Sequence, residues 1–382
     1  MEAELAAAEL RPARADVDLG AVRRNAERIA RAVLPASLCA VVKADGYGHG
    51  AVPCARAALD GGASMLAVAV VDEGVELRRG GIEAPILVLQ ECRGEAVAEL
   101  VRNDLVATVD SVAGGLELIK ASEGRTAAAS GRQKVHVQVD TGVHRRGAEP
   151  ESLKDVAAVL AGSPVVELAG TWTHLAVADD PADPFTAKQL HRFRAAASSL
   201  RAAGIDPGVL HASNTAGIAH TAARHDYVRA GMGLYGFAPP ALARGALVGL
   251  EPALRLSAKV TMVKTLDRGE RPSYGRRRPL PERSQVAVLP LGYADGVPWR
   301  LFECGGEVLL GGLRRPLAGS VTMDQVIVDC GPEGGVEVGD EAVLLGEQGQ
   351  ERITASEWAA RLGTIVYEVV TRIGPRVPRV YH

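Results

Sequence analysis

The sequence has few cysteines and few aromatic residues, and it contains no long apolar run. Its five cysteines are scattered as Cys39, Cys54, Cys92, Cys304 and Cys330. They include no CxxC pair, and an odd number fits neither a complete disulfide framework nor a zinc site. No segment is apolar over the length that crosses a bilayer, and residues 1–15 lack the apolar core of a signal peptide. We therefore expect a soluble, cytoplasmic protein without a membrane partner.

An excess of charge of one sign is also missing, since 43 basic residues face 46 acidic ones and leave a net charge of −3. A chain with that balance offers no basic face for nucleic acid. The nine histidines form no HExxH pair, and the chain has neither a GxSxG elbow nor a phosphate loop ending in Gly-Lys-Ser or Gly-Lys-Thr. These absences predict no nucleic-acid partner and no metal site, and they leave a metal hydrolase as a minor alternative.

Apolar runs of strand length alternate with amphipathic helical stretches over roughly the first 240 residues. Eight such runs occur, at residues 38–42, 65–71, 85–89, 105–109, 135–139, 166–173, 208–212 and 227–234. Eight strand-plus-helix units predict an α/β fold with an N-terminal (β/α)8 barrel of the TIM type over residues 1–245. A doubly wound sheet is the competing interpretation, but it has no reason to stop at eight strands.

The pattern changes after residue 245, where long alternating runs carry few helical signals. These runs cover residues 254–265, 285–293, 307–310, 325–329 and 342–345. A single short helix is expected over residues 355–362, because Thr354 can cap its first turn and Glu357 follows three residues later. The chain length of 382 residues also exceeds one core of ordinary size. We therefore predict a second, all-β domain over residues 246–382.

Polar residues close five of the eight apolar runs, where barrel enzymes carry their active sites. They are Lys43, Asp140 to Gly142 with Arg145 beyond, His174, Asn214 with Thr215, and Arg229 with Gly231. Each has an ordinary structural explanation as a core histidine, an ion-pair partner or a turn former. Five of them on one rim favour an active site instead. Lys43 is the candidate nucleophile, because a lysine at a barrel mouth can be desolvated and lose its proton.

The same rim suits an anionic phosphate. Thr215 supplies a hydroxyl, Gly231 and Met232 can offer backbone N–H groups, and the glycines at residues 46–50 allow close approach. Residues 231–236 also spell GxGxxG. That motif is a weak dinucleotide signal here, because no βαβ unit and no ribose-binding acid follow it.

The segment VVKADGYGHG at residues 41–50 resembles the cofactor-lysine motif of the alanine racemases, which bind pyridoxal 5'-phosphate (PLP). Further segments that resemble this family are VDTGVHR (139–145), THLAVAD (173–179), HASNTA (211–216), VRAGMGLYG (228–236), SYG (273–275), GYADG (292–296), TMDQ (322–325) and VYEVVTRIGPRVPRVY (366–381). The likeness extends over nearly the entire chain. It implies a PLP-binding barrel followed by a β-domain, in a head-to-tail homodimer whose active sites are shared between chains.

The resemblance implies a role for individual residues of the catalytic centre. Lys43 matches the lysine that forms a Schiff base with PLP and acts as one catalytic base, and Tyr274 matches the opposite base, supplied by the partner chain. Racemisation removes a proton from one face of a planar carbanion and returns one to the other, which a single fixed base does poorly. Arg229 matches the arginine that binds the pyridine nitrogen, where a permanent cation weakens the electron sink and limits side reactions. His174 matches a residue between Arg229 and Tyr274 that tunes the tyrosine.

Further matches concern the phosphate and the substrate. The implied cofactor-binding residues are Tyr47, Asn214, Thr215, Gly231, Met232 and Tyr367. Arg145 and the Met323 backbone match positions that hold the substrate carboxylate, and Tyr293 matches an entrance residue. Tyr274, Tyr293 and Met323 would otherwise be interpreted as half-buried strand or turn residues.

The chain departs from the family at four positions. Gln138 stands where many members have a carbamylated lysine that orients the arginine matched by Arg145, so a neutral amide replaces an anion. His144 stands where a glycine is common. Ser320 replaces a usual arginine, and Trp299 lies where another arginine is frequent, both along the substrate corridor. A wider or less cationic entrance is therefore expected.

The function implied by the resemblance is conversion of L-alanine to D-alanine, which feeds peptidoglycan synthesis. A broader racemase for serine or a basic amino acid is the first alternative, because of Ser320 and Trp299. Decarboxylation of diamino acids is disfavoured by SYG and Arg229. A non-catalytic PLP-binding protein is disfavoured by the C-terminal β-domain, since such relatives resemble a lone barrel.

Overall fold

The computed structural model describes residues 11–123 and 131–382. The chain forms two compact units. The first comprises Gly20–Gly46 and Ala51–Pro252, and the second comprises the described residues up to Leu19, Tyr47–Gly50 and Ala253–His382. No helix in the described ranges is both long enough and apolar enough to cross a membrane.

The first unit is a closed barrel of parallel strands. Among its described residues the strands are β2 (Ser37–Val41), β3 (Ala63–Val68), β4 (Ile86–Val88), β5 (Ala107–Val109), β6 (Gln133–Gln138), β7 (Val166–Trp172), β8 (Val209–His211) and β9 (Tyr227–Ala230). They pair in parallel in the orders β4-β3-β2-β9 and β5-β6-β7-β8. A parallel bridge between Leu87 and Val106 joins β4 to β5. Donation from Arg229 N to Ser213 O, at 3.0 Å, joins β9 to the end of β8.

Helices surround these strands because their apolar residues recur on one face. They are α1 (Leu19–Val33), α2 (Ala51–Asp60), α3 (Val71–Arg79), α4 (Glu95–Arg102), α5 (Val112–Ser122), α6 (Leu153–Ala161), α7 (Phe185–Ala202) and the short α8 (Pro240–Ala243). Helix α1 precedes β2 in the chain, and its buried Asn25 donates to Leu234 O and Glu251 O, beyond β9. No long helix follows β8, where two 3-10 turns, Ala216–Ala219 and Thr221–Ala223, make the connection.

The second unit is β-rich. Its strands are β1 (Ala13–Val17), β10 (Leu254–Lys259), β11 (Met262–Leu266), β12 (Ser284–Leu289), β13 (Glu307–Leu310), β14 (Leu313–Pro316), β15 (Val326–Gly331), β16 (Glu341–Gln348), β17 (Glu351–Ile353) and β18 (Arg379–Tyr381). One sheet follows the order β14-β13-β16-β10-β1-β18, with β17 beside β16, and a second follows β11-β12-β15. Together with the barrel, this architecture confirms the predicted α/β class.

The structure differs from the sequence-based organisation in two respects. Strand β1, which the prediction assigns to a barrel domain of residues 1–245, pairs instead with β10 and β18 of the second unit. The β-rich unit also holds two helices rather than one. The expected helix α9 (Ala355–Leu362) begins as predicted, with the Thr354 side chain accepting from Glu357 N, and α10 (Val366–Thr371) follows it.

Candidate active site

Lys43 leaves β2 and enters a left-handed turn, Lys43–Gly48, which we call the Lys43 turn. Ala44, Asp45 and Tyr47 have φ values of 52°, 51° and 54°, a conformation that costs about 1 kcal/mol for each non-glycine residue. The Glu73 carboxylate fixes the start of the Lys43 turn, because it accepts from Ala44 N at 2.6 Å and from Ala69 N at 2.7 Å. Backbone strain maintained in this way is typical of functional loops.

The half-buried Lys43 amine lies near one cation and one carboxylate. Burial lowers the pKa of Lys43, the Arg145 cation lowers it further, and Glu73 opposes both effects. The pKa of His174 is lowered to about 3 by burial and then by the cations of Arg229, Arg145 and Lys43. Four of the predicted rim residues are therefore close enough to influence one another. For Lys43, burial and the Arg145 cation favour the uncharged amine, which is the nucleophilic form.

Arg229 lies under the barrel rim with 3% of its surface exposed. Its NH1 group donates to His211 Nδ1 at 2.9 Å and His211 O at 3.0 Å, and its NH2 group donates to Thr173 O at 2.7 Å and Ala212 O at 3.2 Å. Four of its five N–H groups are thus bound. The Nε–H has no partner among the described residues, so it can serve an acceptor such as a pyridine nitrogen.

The loops after β8 and β9 meet at Thr215. Its Oγ1 accepts from Gly231 N at 3.1 Å, so this predicted phosphate-binding amide is engaged within the protein. The hydroxyl proton of Thr215 remains available for an anion. Asn214 Oδ1 accepts from Gly217 N at 2.8 Å, which fixes the loop after β8. Met232 is buried and begins a 3-10 turn, Met232–Tyr235.

Arg145 is exposed on a loop that is organised by Asp140. One oxygen of that carboxylate accepts the backbone N–H groups of Gly142, Val143 and His144 at 2.8 to 3.2 Å, and the other lies 3.1 Å from the His144 ring. Gln138 Nε2 donates to the backbone oxygen of Arg146, the residue that follows Arg145, at 3.2 Å. In this chain the amide at position 138 therefore holds the backbone of the loop.

Tyr274 belongs to the second unit and is 79% exposed. The neighbouring Ser273 has φ +68° and its Oγ donates to Ser320 O at 2.6 Å. Ser320 Oγ in turn donates to Tyr274 O at 3.1 Å. This reciprocal pair, which we call the serine clamp, fixes the backbone on both sides of the tyrosine while leaving its phenol in solvent.

The predicted substrate and entrance residues of the second unit share one cavity. Tyr274, Tyr293 and Met323 line a volume of about 710 Å³, together with Trp299 and Ser320. Backbone pairing holds Tyr293 and Met323 together, since Tyr293 N donates to Thr322 O and Ala294 N to Met323 O. A Cβ at Gly292 would lie 2.3 Å from Met323 O, so this approach requires glycine.

Tyr47 and Tyr367 form a separate pair in the second unit. Their ring centroids are 6.1 Å apart with an interplanar angle of 53°. Tyr47 belongs to the Lys43 turn and Tyr367 to α10, and the sequence analysis predicts that both bind the phosphate. The side chains offer two hydroxyl groups that could bind an oxyanion.

The sequence analysis did not identify three buried residues that lie next to Arg229 or to its partner His211. His211 accepts from Arg229, His136 lies 2.9 Å from the other nitrogen of His211, and the ring of Trp172 lies 4.7 Å from the guanidinium carbon. Their positions inside apolar strands are typical of core residues. The glycine at position 170, opposite His136 in the β6–β7 register, was the available signal that a large side chain needed space.

The donor set fits PLP and gives no sign of a metal centre. Lys43 provides an amine for an aldehyde, the Nε–H of Arg229 suits a ring nitrogen, and Thr215 suits a phosphate. Within residues 11–123 and 131–382, no group of three or more His, Cys, Asp and Glu side chains is placed to hold a metal ion.

Family models match both parts of the chain. The alanine racemase N-terminal domain matches residues 17–239, and the alanine racemase C-terminal domain matches residues 253–381. The chain is 46% identical over 374 residues to an alanine racemase of Symbiobacterium thermophilum, covering 97% of both proteins. It is 41% identical over 370 residues to that of Frankia casuarinae, covering 96% of this chain and 95% of the relative.

Solved structures of alanine racemases are also similar to this chain. The alanine racemase from Streptomyces coelicolor A3(2) superposes with a TM-score of 0.91 at 38% identity, over 98% of this chain and 99% of that one. The alanine racemase from Bacillus anthracis with bound L-Ala-P gives a TM-score of 0.89 at 37% identity, over 97% and 95% of the two chains. Alanine racemases are PLP-dependent isomerases, and this protein belongs to the alanine racemase family.

Proposed function

We propose that the protein is a PLP-dependent racemase that interconverts L-alanine and D-alanine for peptidoglycan synthesis. The observation that carries the proposal is the half-buried Lys43 amine, whose pKa is lowered by burial and by Arg145. When bound, PLP supplies an electron sink for the negative charge that develops at the substrate Cα. Lys43 holds the cofactor and exchanges the Cα proton on one face, and Tyr274 exchanges it on the other.

The remaining residues bind and orient the reactants. Arg229 would donate to the ring nitrogen, and Thr215, Asn214, Met232, Tyr47 and Tyr367 would bind the phosphate, with Gly231 held in place by its bond to Thr215 Oγ1. Arg145 and the Met323 backbone hold the substrate carboxylate, which directs the Cα proton toward one base or the other. His174 stays uncharged beside Arg229 and Arg145, so it can accept a hydrogen bond without adding to their repulsion. Tyr293 narrows the entrance.

We propose further that the enzyme is a homodimer in which each Tyr274 serves the barrel of the partner. The support is that Tyr274 is 79% exposed on a fixed loop, which is unusual for a base that must be desolvated to react. Tyr293, Met323 and Trp299, in the same cavity, are also about half exposed. A second copy that covered this face would provide the missing burial.

An assay of the purified protein with PLP tests the function. We expect a yellow protein whose visible absorbance is lost on borohydride reduction, and which racemises both enantiomers of alanine. A panel of serine, lysine and arginine tests the broader racemase, and faster turnover of one of these would transfer the assignment to it. A colourless preparation would remove the PLP proposal. Sedimentation at micromolar concentration should show a dimer.

Ser320→Ala should weaken catalysis through the serine clamp. Loss of the bond to Tyr274 O frees the tyrosine backbone, so we expect kcat to fall about threefold to tenfold. PLP affinity should not change, because no bond of Ser320 reaches the barrel residues that we assign to the cofactor. Steady-state kinetics and a PLP titration measure the two effects. Equal kcat in Ser320→Ala and the wild type would show that the clamp does not position Tyr274.

A further inference from the structure

Arg229 is a buried cation that only uncharged groups hold. Its hydrogen-bond partners are three backbone oxygens and His211 Nδ1, and no carboxylate pairs with it among the described residues. The Trp172 ring covers one face of the guanidinium at 4.7 Å. Among the residues that the structure describes, His211 is therefore the one whose side chain accepts a hydrogen bond from this arginine, and that bond depends on which ring nitrogen carries the proton.

The contacts of His211 determine which of its ring nitrogens carries the proton. A guanidinium has only donors, so His211 Nδ1 must present a lone pair to Arg229. The proton of neutral His211 is then on Nε2, which lies 2.9 Å from His136 Nδ1. His136 must accept there, which puts its own proton on Nε2. The hydrogen bonds run in one direction, from Arg229 to His211 to His136.

The protein environment keeps both rings uncharged. Burial and the Arg229 cation lower the pKa of His136 to about 3 and that of His211 well below its ordinary value. A proton added to His211 Nδ1 would face an N–H of Arg229, and one added to His136 Nδ1 would face His211 Nε2–H. Neither arrangement has an acceptor.

The strands leave space for this arrangement at His136. Gly170 pairs with His136 in the β6–β7 register, and a Cβ there would lie 2.9 Å from two atoms of the imidazole, Cε1 and Nε2. Trp172 stacks on His211 with centroids 5.9 Å apart and an interplanar angle of 17°. The imidazole rings of His136 and His211 therefore have little freedom to rotate.

We propose that His136 is a positioning residue for Arg229. Arg229 requires the His211 tautomer with its proton on Nε2. By accepting that Nε2–H, His136 stabilises this tautomer and holds the imidazole in place, and it thereby sets the direction of the guanidinium edge that carries the Nε–H. That this edge faces the ring nitrogen of PLP rests on the proposed function. The direction of the two hydrogen bonds, from Arg229 to His211 and from His211 to His136, is a property of the chain alone.

Two substitutions at position 136 separate this role from simple packing. Asparagine can place Oδ1 near the position of the imidazole Nδ1 and so retains the acceptor, whereas leucine removes it. Thr108→Val is the matched control, because Thr108 pairs with His136 in the β5–β6 register and its buried hydroxyl has no partner within the described ranges. It should behave as the wild type.

Nitrogen NMR of histidine-labelled protein without cofactor reports the tautomers directly. In the wild type and in His136→Asn, His211 should carry its proton on Nε2 as a hydrogen-bonded N–H. In His136→Leu that N–H has no acceptor, so its signal should shift to that of an unbonded N–H and the single ring orientation should be lost. In holoenzyme, His136→Leu should lower PLP affinity and kcat by about tenfold or more and shift the visible absorption maximum. His136→Asn should remain within about threefold of the wild type.

Several results would overturn the proposal. One is a wild-type His211 with its proton on Nδ1, which can be measured even if His136→Leu fails to fold. Another is an equal loss in the asparagine and leucine variants, which would indicate packing alone. Failure of the proposed function gives a different pattern, in which the tautomers are as expected but the wild type neither binds PLP nor racemises alanine.

Discussion

Lys43→Ala is expected to abolish racemisation, with a loss of about 10⁴-fold or more, and to leave no cofactor that borohydride can fix to the chain. The substitution removes the amine at the carboxyl end of β2 and one of the two proposed bases together. Reduction with borohydride followed by mass spectrometry measures the covalent attachment, and exchange of the Cα proton measures the chemistry. The fold should survive, because Lys43 is only half-buried and makes no ion pair with any residue that the structure describes.

The pH dependence of attachment gives a second measurement on the same residue. Only the neutral amine attacks an aldehyde, and burial together with Arg145 lowers the pKa of Lys43. The reactive fraction therefore rises with pH at lower pH than for an ordinary lysine, whose pKa is about 10.4. The rate of attachment to wild-type protein should rise at lower pH than the rate for an ordinary lysine amine, and it should slow as the solution is acidified.

Lys154→Ala is the matched control for both measurements. Lys154 is an exposed lysine of α6 in the same barrel unit, so its loss should change neither the colour nor the activity. A Lys43→Ala protein that still became yellow, and still retained the cofactor after reduction, would show that another amine is the attachment site.

Much of the barrel follows from local pattern. Apolar runs bounded by glycine and polar residues predict its eight strands within a few residues, because buried parallel strands are nearly continuous apolar segments. Strand β1 could not be assigned in this way. Its partners, β10 and β18, lie more than two hundred residues away in the sequence, and no local feature of residues 13–17 distinguishes a barrel strand from one that joins the other unit.

The part of the candidate site that lies at the carboxyl ends of the barrel strands could be predicted from the sequence. The carboxyl ends of parallel strands in a closed barrel meet at one rim, so Lys43, His174 and Arg229 could be grouped from the strand ends. His136 and His211 were missed because a histidine within an apolar strand has the same pattern whether it fills the core or orients an arginine. Only the hydrogen-bond directions in the structure separate these roles.

Tyr274 was identified by resemblance and not by pattern. Its loop has no periodicity. Serine and arginine rarely adopt positive φ, so the sequence gives no indication that Ser273 and Arg276 do so here. The serine clamp explains why this conformation persists, since Ser320 accepts from Ser273 and donates to Tyr274 O. Ser320, which sequence comparison presents as the loss of an entrance arginine, is thus part of the support for the tyrosine.

Tyr274→Phe should retain the cofactor and its colour while suppressing proton exchange from one enantiomer of alanine by about 10³-fold or more. The other enantiomer should continue to exchange its Cα proton through Lys43, at a rate within about tenfold of the wild type. The side chain is 79% exposed, so stability should change by no more than about 0.5 kcal/mol. Exchange of each pure enantiomer in deuterated water measures the asymmetry. Tyr293→Phe, in the same cavity, is the control and should affect both enantiomers alike.

Hybrid dimers of Lys43→Ala and Tyr274→Phe decide whether the tyrosine acts on the partner chain. If Tyr274 acts in trans, each hybrid has one site with both lesions and one site with both native residues. Random mixing of the two inactive proteins, after dissociation and reassembly, should then restore about a quarter of the wild-type activity. If Tyr274 acted on its own barrel, every site would retain one lesion and the mixture would stay inactive. Activity in the mixture would support the shared active site without any structure of the dimer, and its absence would confine catalysis to a single chain.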